Sequence, residues 1–236
     1  MSLAPRLEGR QDHRDRRRPR LPRPDNGAYG RAPRHAATFG RSLPIEEEIP
    51  GHSFRLVYLE GKLIDAIRRD PPALVGDGKR TIRQLMDAET AERLRDTGSF
   101  RSLIPLSPDL ERTLSLEVQR LTPPSVAARG QRIVVKSVIN QNGRSENHPV
   151  RARVHPSLER LGSRLVASMG VRLAGLDVIT ANIGVPLEEG GGVIHEVNAP
   201  PRLHYHGLVS DPAKAAPVGE RVLDRVLLGS QRRDRG

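Results

Sequence analysis

Residues 43–228 are predicted to form an α+β domain with a mostly antiparallel sheet and flanking helices. Two observations predict this class, and a third bounds the domain. Strand-like runs come as neighbours joined by short connections. Helical stretches follow them instead of alternating with them one for one, which argues against a parallel sheet. The positive charge is concentrated outside this stretch: residues 1–42 carry +7 of the chain's formal net charge of +11.

The elements follow in order. Phe54 to Leu59 and Lys62 to Arg68 are two β-type runs, and Glu60-Gly61 between them supplies a hairpin turn. Gly76-Asp77-Gly78 is a tight turn. Thr81 opens a helix, with Gln84 three residues on completing a capping box and Ile82, Leu85 and Met86 beginning its apolar face. Ser107-Pro108 reads as an N-cap with proline at the first helical position, ahead of Leu110, Leu114, Val118 and Leu121. Gln131 to Val138 reads as a strand and 140–147 as a polar loop. His155-Pro156-Ser157 starts a helix with Leu158, Leu161, Leu165 and Met169 on one stripe, ended by Gly170. Strands are expected at Val171 to Thr180 and Val193 to Val197, and a closing helix at Val218 to Leu228.

Composition bounds the function. Residues 1–42 hold eleven arginines, four acids and five prolines with almost no bulky aliphatics, so they are expected to be disordered. The run from Arg14 to Arg20 invites a nucleic-acid arm. Aromatics make up only 3% of the chain, which leaves little to stack on bases, so a solvated tail is the favoured reading and nucleic acid is disfavoured as a partner. Residues 229–236 read as a second short basic tail. There is no cysteine, which excludes disulfides, thiolate metal sites and a cysteine nucleophile. No apolar run approaches a membrane span and none resembles a secretion signal, so a cytoplasmic protein is expected.

The chemistry is expected near the last two strands. Glu196 and Asn198 are two apart on one strand and point to the same face, with Asp177 on the preceding strand. Two carboxylates and an amide oxygen suit Mg²⁺, which takes few carboxylates and completes its shell with water and phosphate. The competing reading has Asp177 facing solvent and Glu196 paired with an arginine. His204 and His206 flank Tyr205. Two histidines at this spacing could ligate a metal, but no further histidine stands at ligand spacing, so a pocket or surface loop is favoured.

These residues carry a resemblance. The chain from Leu43 to Leu228 resembles the second half of an ATP-grasp ligase, in the branch of the cyanophycin and glutathione synthetases. The segments that match in order are Ile45 to Gly51, Phe54-Arg55, Gly61 to Arg68, Val75 to Gly78 with Thr81-Ile82, Leu121 to Val126, Val154 to Pro156, Gly175 to Asp177 and Val193 to Asn198. An ordered set of this length is specific where one motif would be weak. The resemblance implies a C-terminal ATP-grasp subdomain that joins a carboxylate to an amine through an acylphosphate, using ATP and Mg²⁺ (or Mn²⁺). It implies Asp177, Glu196 and Asn198 as metal ligands, and Glu46 and Glu48 in the hinge passing the adenine. It places Arg55 and Arg68 toward phosphate or the acyl intermediate, and Lys136 and Asn140 on the loop over the acyl group. An amino acid or short peptide would be the substrate.

Four positions depart from the family. Residues 1–42 contain none of the two lysines and glycine-rich flap of the other ATP-binding half, so a truncated or divergent ligase is expected, one that a second copy or a partner chain could complete. Ser53 stands where an acid grips the ribose. Arg144 interrupts a small-residue loop, and Arg202 replaces a glycine after Asn198-Ala-Pro-Pro201. The alternative function is a non-catalytic binding module on half an ATP-grasp fold, with the arginine-rich arm taking an acidic partner or nucleic acid.

Overall fold

In the computed structural model, the described residues are 37–38, 40, 42, 47–95, 106, 109–137, 139 and 143–233. The expected disordered arm therefore lies almost wholly outside them. Every element below falls in the unit from Pro44 to Gly236.

A five-stranded antiparallel sheet organises the fold. Its strands are β1 (His52–Leu59), β2 (Lys62–Arg69), β5 (Asn147–Pro149), β6 (Leu173–Thr180) and β7 (Val193–Asn198), in the order β5-β2-β1-β6-β7. Glu60 and Gly61 both take positive φ, so the β1–β2 turn is the two-residue hairpin expected.

The hairpin register holds the main departure from a simple reading. Leu59 pairs with Lys62 and Tyr58 with Leu63, but Val57 then pairs with Asp65. Ile64 is an extra residue on β2, a β-bulge, and it switches which side chains share a face from there on. Phe54 comes opposite Arg68, and Ser53 opposite Arg69. A second irregularity lies between β6 and β7: Asp177 pairs with Glu196 and Val178 with Ile194, so His195 is the unpaired residue.

One face of the sheet is apolar. Phe54, Leu56, Tyr58, Ala174, Leu176 and Val178 pack against Leu158 and Val166 of a helix over Pro156–Ser168. His155 caps that helix, its Nδ1 accepting from the Ser157 N–H, and Pro156 occupies the first turn. Of the expected stripe, Leu158 is buried and Leu161 and Leu165 pack part-buried against the core, while Met169 is 48% exposed; the line of closest approach is Leu158, Gly162 and Val166. Gly162 is the reason. Lacking a side chain, it admits the fully buried Tyr58 ring and draws the helix onto the sheet along that line.

A smaller unit packs beside the sheet. It contains α1 (Ile82–Arg95), α2 (Leu110–Val118) and the strand pair β3 (Ala73–Val75) and β4 (Arg132–Val134) around Leu74, Ile82, Leu85, Leu116 and Ile133. Numbered in chain order, the helix over Pro156–Ser168 is α3, and α4 is Val218–Arg233. The capping box of α1 is present: Thr81 N–H donates to Gln84 Oε1 at 2.9 Å, and Gln84 N–H to Thr81 Oγ1 at 3.2 Å. The N-cap of α2 is Asp109, whose Oδ1 accepts from Arg112 N–H. Ser107 and Pro108 lie outside the described residues. Within 131–138 the strand occupies only Arg132–Val134, and the expected loop contains a 3-10 turn, Arg144–Glu146, followed by β5. No helix among the described residues is long and apolar enough to cross a membrane.

Candidate active site

The face opposite α3 buries charge. Asp177 on β6 lies opposite Arg55 on β1, and the carboxylate is gripped bidentately: Arg55 Nε donates to Oδ1, and Arg55 Nη2 to Oδ2 at 2.7 Å. Arg69 Nη2 approaches Oδ1 at 3.1 Å and also donates to Ser53 Oγ at 3.2 Å. All three charged residues are buried. Burial works against the Asp177 charge, but the hydrogen bonds and charges of Arg55 and Arg69 outweigh it and hold the carboxyl below its ordinary value. Burial likewise pulls the Arg69 guanidinium down, opposed chiefly by Asp177.

Gly175 makes room for this arrangement. A Cβ there would stand 2.7 Å from Pro201 Cβ and 3.1 Å from Arg55 Cδ, so only glycine lets the arginine stem lie against β6. Glu196 and Asn198 pair with Asp177 and Gly175 across the β6–β7 ladder, so the three oxygen-bearing residues expected to hold a metal share one sheet face.

A second buried pair lies on the same face. Asp65, brought here by the Ile64 bulge, sits 2.6 Å through Oδ2 from His206 Nδ1, and both side chains are almost fully enclosed. This contact ties the 3-10 turn His204–His206 down onto β2, where Tyr205, Leu208 and Val209 cover Ile67. The two histidines therefore do not act as a strand pair. Partial burial, then Arg202, His206 and Arg55, keep the His204 imidazole below its ordinary value.

The remaining sequence candidates are dispersed. Arg68 lies in register with Phe54, on the face opposite Arg55, and donates to Asp70 Oδ2 at 3.0 Å, which His148 also contacts. Lys136 is buried in the smaller unit, 2.8 Å from Asp109 Oδ2 and 3.6 Å from Glu111 Oε2. Glu48 is exposed on the segment leading to β1. Glu46 and Asn140 lie outside the described residues. Arg69 is the residue that sequence reasoning passed over. A flush two-residue hairpin would put Arg68 on the Arg55 face, and only the bulge substitutes its neighbour. Arg144, which interrupts the small-residue loop, turns toward the backbone carbonyls of Gly207 and Val209, 3.4 and 3.5 Å away.

Three buried nitrogens on the charged face, Arg69 Nε, Asn198 Nδ2 and His206 Nε2, have no hydrogen-bond partner among the described residues. Buried donors are normally paired, so these nitrogens are unusual. Glu196 and Asn198 carry oxygens of the kind Mg²⁺ takes, whereas both Asp177 oxygens are already held by Arg55 and Arg69, so an ion there would have to share them with the arginines.

No family model matches the chain. It is 29% identical over 198 residues to the cyanophycin synthetase of Trichormus variabilis, covering 83% of this chain and 22% of that protein. It is 24% identical over 196 residues to the glutathione biosynthesis bifunctional protein GshAB of Listeria welshimeri, covering 83% of this chain and 25% of that one. In three dimensions it is similar to the bifunctional glutathione synthetase of Pasteurella multocida, with a TM-score of 0.54 and 22% identity over 68% of this chain and 22% of the other. The chain thus spans about a fifth to a quarter of the length of the curated relatives it matches. The fold is like part of a bifunctional glutathione synthetase, and the sequence relatives are cyanophycin and glutathione-synthesising proteins.

Proposed function

We propose that this chain forms the metal-bearing half of an ATP-dependent carboxylate–amine ligase site. The observation that supports this most is the one sheet face that the buried Arg55, Arg69 and Asp177 share, in register, with the part-buried Glu196 and Asn198. Asp177, Glu196 and Asn198 would hold Mg²⁺ (or Mn²⁺), which supplies charge neutralisation on the phosphates of ATP. Arg55 and Arg69 orient the carboxylate of Asp177 and present guanidinium edges to an oxyanion, a task that suits a planar, permanently charged group. Arg69 Nε is the donor positioned for it. In this reading a substrate carboxylate oxygen bonds to the γ-phosphorus as ADP leaves. The amine nitrogen then bonds to the acyl carbon as phosphate leaves and the amine gives up a proton. An amino acid or short peptide is the substrate class, in the cytoplasm. The nucleotide-binding other half comes from chain outside residues 44–236 or from a partner.

The test is thermal unfolding with Mg²⁺ and nucleotide. Binding to the native state alone at ten times Kd adds about 1.4 kcal/mol of stability. Glu196→Gln, which leaves the Asp177 ion pairs in place, should abolish the rise measured from its own baseline. An equal rise in wild type and variant would overturn the assignment.

A further inference from the structure

The smaller unit carries an uncompensated basic surface away from the Asp177 face. The turn following β3 lies on the turn preceding β4: Gly76 N–H donates to Gln131 O, Gly130 N–H to Gly76 O, and Gly78 N–H to Ala127 O. Gly76 approaches so closely that a Cβ there would stand 2.3 Å from the Ala128 carbonyl oxygen. This stacking brings Lys79, Arg80, Arg129 and Arg132 together, all exposed, with Arg83 one turn into α1.

The acid within the cluster is Asp77, and it is already committed. Its Oδ1 accepts from the Lys79 and Arg80 N–H groups, and its Oδ2 from Arg80 Nε. These bonds hold its carboxyl well below the ordinary carboxylate range. Arg132 donates to the neutral Pro71 carbonyl, and among the described residues neither Lys79 nor Arg129 has an ion pair. Two large aliphatic side chains stand on the same strands and turns, Val75 at 64% and Val126 at 51% exposure. From Val75 an open cleft of about 620 Å³ runs past Arg80 and Arg132 over Leu74 and Leu85. The four acids along it hold partners of their own: Glu89 takes Arg93, Glu92 takes Arg95, Asp70 takes Arg68, and the buried Glu146 accepts from Gly143 N–H and Ser145 Oγ.

We propose that this surface docks an acidic polypeptide segment, with its carboxylates on Lys79, Arg129 and Arg132 and an aliphatic side chain against Val75 at the mouth of the cleft. Guanidinium groups bind carboxylates bidentately, and exposed cations with no internal counter-charge gain most from an external one. The two valines favour polypeptide over nucleic acid, because a sugar–phosphate chain supplies no aliphatic side chain to cover them. Phe54, Tyr58 and Tyr205 are buried, so they offer no stacking platform for bases.

The experiment uses the full chain and fluorescence anisotropy at near-physiological salt. The probe is a short fluorescein-labelled peptide of glutamate and aspartate around a central leucine pair. Combined Lys79→Gln, Arg129→Gln and Arg132→Gln should weaken binding about tenfold, from three surface pairs of roughly 0.5 kcal/mol each. Arg16→Gln, Arg17→Gln and Arg18→Gln remove the same charge from the N-terminal arm and should change it less than about twofold. Val75→Asp, or serine in place of the probe's leucines, should each weaken binding several-fold. Equal losses from the two triple variants would overturn the proposal as unspecific charge attraction. Indifference to the leucines would overturn the cleft as part of the site. Duplex DNA that binds more tightly than the peptide, and is lost in the same patch variant, would show a phosphate-binding surface instead. Lys79, Arg129, Arg132 and Val75 are exposed, and an unchanged melting temperature verifies that each variant folds.

Discussion

On one face of the five-stranded sheet, Leu56, Tyr58, Leu176 and Val178 pack against α3; on the other, the same strands bury Arg55, Asp65, Arg69 and Asp177. Backbone and register are shared, so the difference lies in what fills the space. The apolar face gains by removing area from water, and its losses grade with volume. The charged face gains only while every desolvated group keeps its partner, so it stands or fails as a unit. Such a face is a poor way to stabilise a sheet and a good way to hold charge in fixed positions for a ligand.

The largest effect should follow from Asp177→Asn. The variant leaves Arg55 and Arg69 buried side by side without their counter-ion, at a cost of about 3–5 kcal/mol, read as a lower urea midpoint at constant slope. The pH dependence has a definite sign. The folded carboxyl sits below the unfolded value of about 3.9. Its contribution is therefore complete above roughly pH 5 and is lost as pH falls through the folded value. The gap between wild type and variant should be flat near neutrality and narrow in acid. A gap that persists undiminished in acid would mean the stability of this face does not depend on an ionised Asp177.

The next comparison tests which arginine belongs to which face. Arg69→Gln removes a buried charge-assisted contact worth roughly 1.5–3 kcal/mol. Arg68→Gln removes a part-exposed pair with Asp70 worth about 0–1 kcal/mol. The two midpoints should differ accordingly, with Arg69 the costlier. The reverse order would contradict the bulge at Ile64.

These residues also show what the sequence made legible. The hairpin, the capping box at Thr81 and Gln84 and the His155-Pro156 helix start are set by neighbours a few positions apart, and each appears where local chemistry puts it. The shared face of Asp177, Glu196 and Asn198 follows from strand alternation and survives the His195 irregularity, because that bulge lies beyond Glu196. The identity of the second arginine did not follow. A bulge is chosen by packing across strands, and nothing in Lys62-Leu-Ile-Asp-Ala-Ile67 announces that Ile64 will be the extra residue. On α3 the expected Leu158, Leu161 and Leu165 do pack on the core, but the line of closest approach was not legible, for a related reason. Periodicity counts large apolar residues, whereas the line of closest approach runs through Gly162.

That line gives the smallest of the three effects and the one whose sign is least obvious from local rules. Gly162 lies inside a helix, where alanine is intrinsically favoured by about 1 kcal/mol, so propensity alone predicts that Gly162→Ala stabilises. Packing predicts the opposite. A Cβ would stand 2.2 Å from Tyr58 Oη and 2.4 Å from its Cζ, and the ring is fully buried, so helix or ring must move. Overpacking of this kind costs about 1–3 kcal/mol, enough to reverse the sign. Tyr58→Phe removes the oxygen but leaves ring carbon in the way, so it should recover part of the loss. The double-mutant cycle should show a coupling above roughly 0.5 kcal/mol. The hydroxyl's own contacts, to the carbonyls of Leu158 at 3.5 Å and Glu159 at 3.3 Å, are long, so Tyr58→Phe alone should cost little. A stabilised Gly162→Ala variant with no coupling to Tyr58 would mean that α3 stands further from the sheet. The apolar face would then have slack of the kind that the charged face, with both oxygens of Asp177 engaged, does not have.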